Sequence, residues 1–352
     1  MPKAISYTTL TVMFGLMISC GVEDPGKSAT QPVSPTDDAE SLFERPLVQV
    51  METEEGRLLR YETPQGEREI LQGSGEYRIA LSSTTQLYYF QKIGAMHQVV
   101  ACTWLDLLPD EGMKQSVSSL GVKELISGAE LDLESILSVR PDVFLYDPAD
   151  AALIDRLTSQ GVRCVPFDEY RESDPMGRVE WLLVVGAICD RMELARDSLK
   201  AISMRYDSAR SLAPMDARVM MLSYYQGTWS AAGAGSILSQ MVRDAGGEYV
   251  LEGDRSGSVN LGLEELLSLI PDLTHVGFIY EGELSLDQLL SWEPRLEGTD
   301  LEGKTLFQVD VSQVDYFGSG ILEPDVMVDD LKAIFGSVDH AGRRYFQEFH
   351  IP

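Results

Sequence analysis

From Arg78 onward the chain alternates between two hydrophobic patterns. RIALSS, HQVVACT, VFLYD, VRCVPF, ARVMMLSYY and LTHVGFIY are short, nearly continuous apolar runs, the pattern of strands buried on both faces. Between them lie apolar residues at helical spacing. TTQLYYFQKIG opens after Ser or Thr and stops at Gly94, DAALIDRLTSQG ends at Gly161, and GSILSQMVRDAGG ends in glycines. This alternation predicts the α/β class with a largely parallel sheet. Pro46 to Gly73 reads differently. There PLVQVME, GRLLRYET and EREIL are separated by Glu-Gly and Pro-Gln-Gly turns, which predicts a small β extension, a hairpin or meander, over residues 46–76.

One phrase occurs twice. LDLESILSVRPDV (131–143) and LGLEELLSLIPDL (261–273) share Leu, Leu, Glu, Leu, Ser, Pro and Asp at a constant offset of 130, as between Glu134 and Glu264. The leucines fall at helical spacing, and Pro-Asp is expected to close each helix because the residue before proline disfavours the α region. A repeat of this length within 352 residues predicts two lobes, 77–174 and 214–352. The segment between them, 175–213, is helical throughout. In it VEWLLVVGAI precedes MELARDSLKAISMRYDSARSL, with Leu194, Ala195, Leu199, Ile202, Tyr206 and Ala209 expected on one face. One long helix is therefore expected to join the lobes and to resist wide hinge opening.

The N-terminus reads as an export signal over residues 1–19. Lys3 is followed by Leu10, Val12, Met13, Phe14, Leu16, Met17 and Ile18, an apolar stretch too short to span a membrane comfortably. Met-Ile-Ser-Cys resembles the bacterial lipobox, which implies a lipidated Cys20. An ordinary signal peptide with an incidental cysteine is the alternative. Residues 20–45 are rich in Pro, Ser, Thr, Asp and Glu without apolar periodicity, the composition of a flexible tether.

Charge and chemistry narrow the function. With 56 acidic against 28 basic residues, a net charge of −28 argues against nucleic acid and leaves membrane attachment to the lipid alone. Beyond Cys20, the cysteines Cys102, Cys164 and Cys189 are odd in number and lack CxxC spacing, so buried thiols are expected. His97, His275, His340 and His350 are scattered, which does not fit a bare metal ion. No GxxxxGK, HExxH or GxSxG motif occurs, and GAGSIL lacks the third glycine of a dinucleotide fingerprint. Neither catalysis nor a cofactor is expected. The glycines before Ser236 either present backbone N–H groups to an anion or let a helix begin close to a cleft.

Together, RIALSSTTQLYYFQKIGAMHQVVACT, LDLESILSVRPDVFLYD, DRLTSQGVRCVPF, WSAAGAGSILSQMVRDAGGEYV and LGLEELLSLIPDL resemble the substrate-binding proteins of bacterial ABC importers for iron complexes and cobalamin. DYFGSGILEPDVMVDDLKAIF and the front extension resemble Bacteroidetes members, and the likeness covers about residues 77 to 349. It implies two Rossmann-like lobes, a single bridging helix and a ligand cleft between lobes. It further implies a monomeric, periplasm-facing lipoprotein that binds haem or a ferric siderophore, with cobalamin as the alternative. An ABC permease with its ATPase would be the partner, and the matching glutamates Glu134 and Glu264 would dock onto arginine pockets of its two subunits. A surface lipoprotein that scavenges ligand without a transporter is the other reading, compatible with Glu23 and Asp24 after the lipidation site.

Ligands of such sheets sit beyond the carboxyl ends of the strands. Those positions hold Ser83, Thr84 and Tyr88; Thr103 and Trp104; Tyr146 and Asp147; Tyr224, Tyr225, Gln226 and Trp229; and Tyr280 with Glu281. Aromatic residues recur there. Rings supply stacking area and hydroxyls supply orientation or, for haem iron, an axial bond, so a large flat ligand is expected.

Overall fold

The computed structural model describes residues 48–349 apart from 54, 55, 64, 65, 73–75, 128, 129, 148–150, 212 and 337–341. The export signal, Cys20 and the tether lie outside the described residues. At the front, β1 (Val48–Thr53), β2 (Gly56–Thr63) and β3 (Gly66–Gln72) form an antiparallel meander. Leu59 and Tyr61, two residues apart on β2, share a face and are buried in the core of the first lobe. The Tyr61 ring meets Trp181 edge-on, and its hydroxyl donates to the Pro166 carbonyl at 3.1 Å. The extension therefore covers lobe 1.

Lobe 1 runs β4 (Ile79–Leu81), α1 (Thr85–Lys92), β5 (Val99–Cys102), α2 (Glu111–Leu120), β6 (Lys123–Glu124), the small ribbon β7 (Ile126–Ser127) and β8 (Glu130–Leu131), α3 (Leu133–Ser138), β9 (Val143–Tyr146), α4 (Ala151–Ser159) and β10 (Arg163–Pro166). The sheet is parallel throughout, in the order β10-β9-β4-β5-β6. Successive side chains of β9 serve opposite faces. Val143 and Leu145 join the cluster beneath α1, whereas Phe144 packs with Ile136 and Leu157 of α3 and α4. Both faces are apolar, which explains why the strands read as continuous runs.

The helical joining segment comprises α5 (Pro175–Glu180), α6 (Leu182–Ile188) and α7 (Met192–Ala209). Only α7 bridges. α6 belongs to the lobe 1 core, where a Cβ on Gly186 would lie 2.4 Å from that of Ala195, so this close helix crossing requires glycine. At 18 residues α7 is long enough to reach both cores. Ala195, Leu199 and Ile202 pack into lobe 1, and Tyr206 and Ala209 into lobe 2. Leu194, expected on the same face, is 46% exposed, because it lies one residue, about 100° of helix, from Ala195.

Lobe 2 contains β11 (Arg218–Tyr225), β12 (Thr228–Ala232), α8 (Ile237–Asp244), β13 (Glu248–Tyr249), β14 (Ser258–Leu261), α9 (Leu263–Leu269), β15 (His275–Tyr280), α10 (Leu286–Trp292), β16 (Thr305–Asp310), α11 (Pro324–Ile334) and β17 (Gln347–Glu348). Its sheet order is β14-β12-β11-β15-β16-β17, with β13 also beside β11. β11 pairs in parallel with β13 and β15, and β15 with β16, while the β11–β12, β12–β14 and β16–β17 pairings are antiparallel. Lobe 2 is thus a mixed sheet, its β11–β12 hairpin closed by Gln226 and Gly227 at φ 47° and 83°.

The doubled phrase starts alike and stops differently. α3 ends at Ser138, with Arg140 at φ 48° before Pro141, whereas α9 runs on into a 3₁₀ turn, Ile270–Asp272, that contains Pro271. Pro-Asp is therefore not a uniform stop. A second connection links the lobes. After β16 the chain sends Ile321 and Leu322 into the lobe 1 core before α11 returns to lobe 2, so the lobes are tied at two places.

Candidate functional site

The carboxyl ends of β4, β5, β9 and β10 lie side by side in the lobe 1 sheet and form one candidate rim for a ligand. Thr103 Oγ1 donates to the Ser82 carbonyl at 2.6 Å, and Ser82 Oγ accepts the Asp147 amide at 2.8 Å, which fixes three strand ends to one another. Ser83 Oγ and Thr85 Oγ1 are hydrogen-bonded at 2.8 Å, while Thr84 is buried as the residue before α1. Trp104 is half-buried in the left-handed region at φ 56°, a conformation that costs an ordinary residue about 1 kcal/mol. Tyr146 stacks on Phe144 with centroids 6.2 Å apart.

Beneath the rim lies a polar floor that the aromatic pattern did not reveal. Gln86 Nε2 makes a long hydrogen bond, 3.4 Å, to Asp147 Oδ1. Thr85 Oγ1 donates to Glu169 Oε1 at 3.3 Å, and Arg178 Nε donates to Glu169 Oε2 at 2.9 Å. Desolvation, followed by repulsion from Glu169 and Asp168, holds the Asp147 carboxyl well above the usual range. Glu169 lies three residues beyond the end of β10, so its place was recoverable from VRCVPFDE. Gln86 and Arg178 carry no such signal.

Lobe 2 gathers aromatic rings at its strand ends. Tyr224 and Trp229 are paired across the β11–β12 hairpin with centroids 4.8 Å apart. Tyr224 also stacks on Trp292 at 4.8 Å and 14°, and Tyr280 tilts against Trp292 at 4.9 Å. Such pairs each contribute about 0.5–1.5 kcal/mol beyond burial. Trp292 sits on α10, so the pattern of strand ends does not point to it. Trp229 is only 4% exposed and supports the cluster from within. Tyr225 points to the other side of β11, its hydroxyl accepting from Gln226 Nε2 at 2.8 Å. Glu281 is exposed at the end of β15.

Tyr88 does not stand open to a ligand. It is 4% exposed, and its phenol lies beside the Asp315 carboxylate of lobe 2. Burial, then that carboxylate, pushes the phenol far above its usual range. A Cβ on Gly318 would lie 2.3 Å from the Tyr88 ring, so glycine permits this approach between lobes. His275 opens β15 at the end away from the cleft and packs edge-on against Phe335. Cβ atoms on Gly233 and Gly235 would lie 2.2 and 2.4 Å from the carbonyls of Arg255 and Asp254. Close packing therefore explains the glycines before Ser236.

Glu134 and Glu264 are both exposed in the first turns of α3 and α9. Cys102 and Cys189 are buried free thiols and Cys164 is a half-buried one. Among the described residues no group of three or more His, Cys, Asp or Glu is arranged to hold a metal ion, and no helix is long and apolar enough to cross a membrane.

No curated protein matches this chain in sequence. Among solved structures it is similar to the periplasmic haem-binding protein HutB of Vibrio cholerae, with a TM-score of 0.58, 18% identity, and coverage of 73% of this chain and 99% of that one. A periplasmic haem-binding protein from Pseudomonas aeruginosa gives a TM-score of 0.55 at 16% identity, covering 77% and 97%. The siderophore-binding protein BauB, solved with two acinetobactin molecules and ferric iron, gives 0.60 at 15%, covering 80% and 99%. At these identities the likeness is one of fold. The family model for periplasmic binding proteins matches residues 79–278, which span lobe 1, the joining helices and the first half of lobe 2, and the chain belongs to that family.

Proposed function

We propose that this protein is a lipid-anchored solute-binding protein that captures an iron complex between its lobes and delivers it to an ABC permease. The observation that carries this reading is the recurrence of aromatic side chains at strand ends on both sides of the cleft, in a chain of this family. Trp104 and Tyr146 supply rings from lobe 1, and Tyr224, Tyr280 and Trp292 from lobe 2. Ring faces suit a broad, planar or chelated ligand. The haem and ferric siderophore bound by the structural neighbours support the same class, and haem or a ferric siderophore is the ligand proposed here.

Anchoring rests on Cys20 and the tether. Docking rests on Glu134 and Glu264, exposed at equivalent places in the two lobes, since a pseudo-twofold protein meets a twofold permease with the same contact on each side. The test is a titration of the purified protein with haemin, a ferric siderophore and cyanocobalamin, followed by absorbance. A saturable 1:1 spectral change with an iron complex supports the reading. No saturable change with any of the three contradicts it.

A further inference from the structure

The charge of the cleft selects within the iron-complex class. Carboxyl groups follow the strand ends of both lobes: Asp147, Asp168 and Glu169 after β9 and β10 in lobe 1, and Glu281, Glu283 and Asp310 after or at the end of β15 and β16 in lobe 2. Two cations accompany the lobe 1 carboxyls, Arg178, bound to Glu169, and Arg171, whose Nε donates to the Tyr170 hydroxyl at 2.8 Å. Carboxyl groups outnumber them. A concave site between low-dielectric walls focuses such a field and repels a like charge.

The floor adds a second, independent observation. Gln86 is 0% exposed; its Nε2 is used on Asp147, but its Oε1 has no hydrogen-bond partner among the described residues. Arg178 Nη2, nearby on the same floor, is likewise unpartnered and buried. One orphan acceptor and one orphan donor in the same polar network call for a group that carries both an N–H and a carbonyl oxygen. An amide does. A carboxylate satisfies only the donor and sets its charge against Asp168 and Glu169.

We propose that the cleft takes a metal chelate that bears amide groups and has no net negative charge, with one amide meeting Gln86 Oε1 and Arg178 Nη2 on the floor of lobe 1. This rests on the iron-complex reading and narrows it. In the present structure Gln86 is 0% and Glu169 2% exposed, so a ligand reaches this floor only when the groups that cover it move.

The test compares four probes on the full-length mature protein by equilibrium dialysis. Ferrioxamine B is a cationic hydroxamate with amides and cyanocobalamin is neutral with amide side chains; haemin carries propionates, and ferric enterobactin has amides but is an anion. The first two are expected to bind at least tenfold tighter than the last two. Raising salt should weaken ferrioxamine and strengthen the anions, because screening reduces attraction and repulsion alike. Gln86→Leu should lower ferrioxamine affinity about tenfold, near the effect of leaving one buried polar partner unmade. Tighter binding of either anion, or a salt response of the opposite sign, overturns the charge selection. Unchanged ferrioxamine affinity in Gln86→Leu overturns the floor contact. If none of the four binds, the iron-complex reading falls and takes this inference with it.

Discussion

The Trp104 amide donates to Glu124 Oε1 at 3.0 Å, which holds the backbone beneath the indole in a left-handed turn. Glu124 also accepts the amides of Leu105 at 2.8 Å, Leu125 at 2.9 Å and Ile126 at 3.1 Å. One carboxylate thus holds the two loops beyond β5 and β6, and it offsets the strain at Trp104. Backbone strain of this kind persists only where its surroundings impose it. Glu124→Ala is expected to destabilise the protein by about 1–2 kcal/mol, since hydrogen bonds to charged groups sit at the upper end of the usual range. Ligand affinity should fall several-fold as the Trp104 ring loses its orientation. Thermal melts and a ligand titration of the variant check both effects, and unchanged values in both would remove Glu124 as a positioning residue.

The bridge offers a second test. Tyr206 on α7 donates to Asp244 Oδ2 at 2.6 Å, and Arg210 Nε donates to Asp244 Oδ1 at 3.0 Å. Arg205 reaches Asp325 of α11 at 2.7 Å. These bonds fasten the second half of α7 to lobe 2, complementing the apolar packing of its first half in lobe 1. Tyr206→Phe keeps the ring and removes the hydroxyl. A loss of about 1–2 kcal/mol in urea unfolding is expected, because Asp244 is left with a single partner in a buried place. A loss below the error of the measurement would mean that the Tyr206–Asp244 bond does not help to hold α7.

Stability should respond to pH through Glu180. Desolvation, followed by repulsion from Glu172 and Asp174, pushes its carboxyl up to about 7. The folded protein therefore holds a proton that the unfolded chain releases near the ordinary value of 4.5. The stability this permits is fully present below that ordinary value and is lost as pH rises toward 7. Glu180→Gln should be neutral at low pH and stabilising by about 1–2 kcal/mol above neutrality, the full shift being reduced by partial solvent screening. Chemical unfolding across that range checks the sign. Asp147 acts in the same direction, so some slope should remain in the variant.

If Glu134 and Glu264 dock the protein as proposed, docking is separable from ligand capture. Glu134→Ala with Glu264→Ala removes two exposed carboxylates that take no part in the polar floor, and ligand affinity should stay nearly constant. Uptake by whole cells and association with the permease should drop sharply, since a desolvated charge-assisted pair contributes a few kcal/mol, or about a hundredfold in affinity. Glu265→Ala is the control expected to matter less. Normal uptake by the double variant, or loss of ligand binding as severe as loss of uptake, would exclude these glutamates as docking groups.

Much of the architecture was legible because it rests on local rules. β9 and β15 announced themselves as continuous apolar runs, and α1 and α4 ended at Gly94 and Gly161 as left-handed stops require. Departures arose where tertiary contacts decide. α6 reads as a continuation of the bridge, yet its closeness to α7 through Gly186 and Ala195 is a packing fact that propensity does not encode. The return of Ile321 and Leu322 into lobe 1 is likewise invisible in a stretch that reads as a loop before a helix. At the site, strand ends located most of the rings, but Trp292 comes from a helix and the Gln86–Asp147–Glu169–Arg178 floor depends on which side chains meet across four segments. Tyr88 shows the converse: a residue in the right place by topology is taken up by Asp315 of the facing lobe.

The most direct measurement is quenching of indole fluorescence by an iron complex. The chain has four tryptophans, of which Trp104 lies on the lobe 1 rim and Trp292 in the lobe 2 cluster, while Trp181 is buried in the core. If the complex sits between the lobes, titration quenches the wild-type protein saturably, and Trp104→Phe and Trp292→Phe each remove a large share of that quenching. A quench of unchanged amplitude and midpoint in both variants would place the ligand outside the cleft and contradict the account.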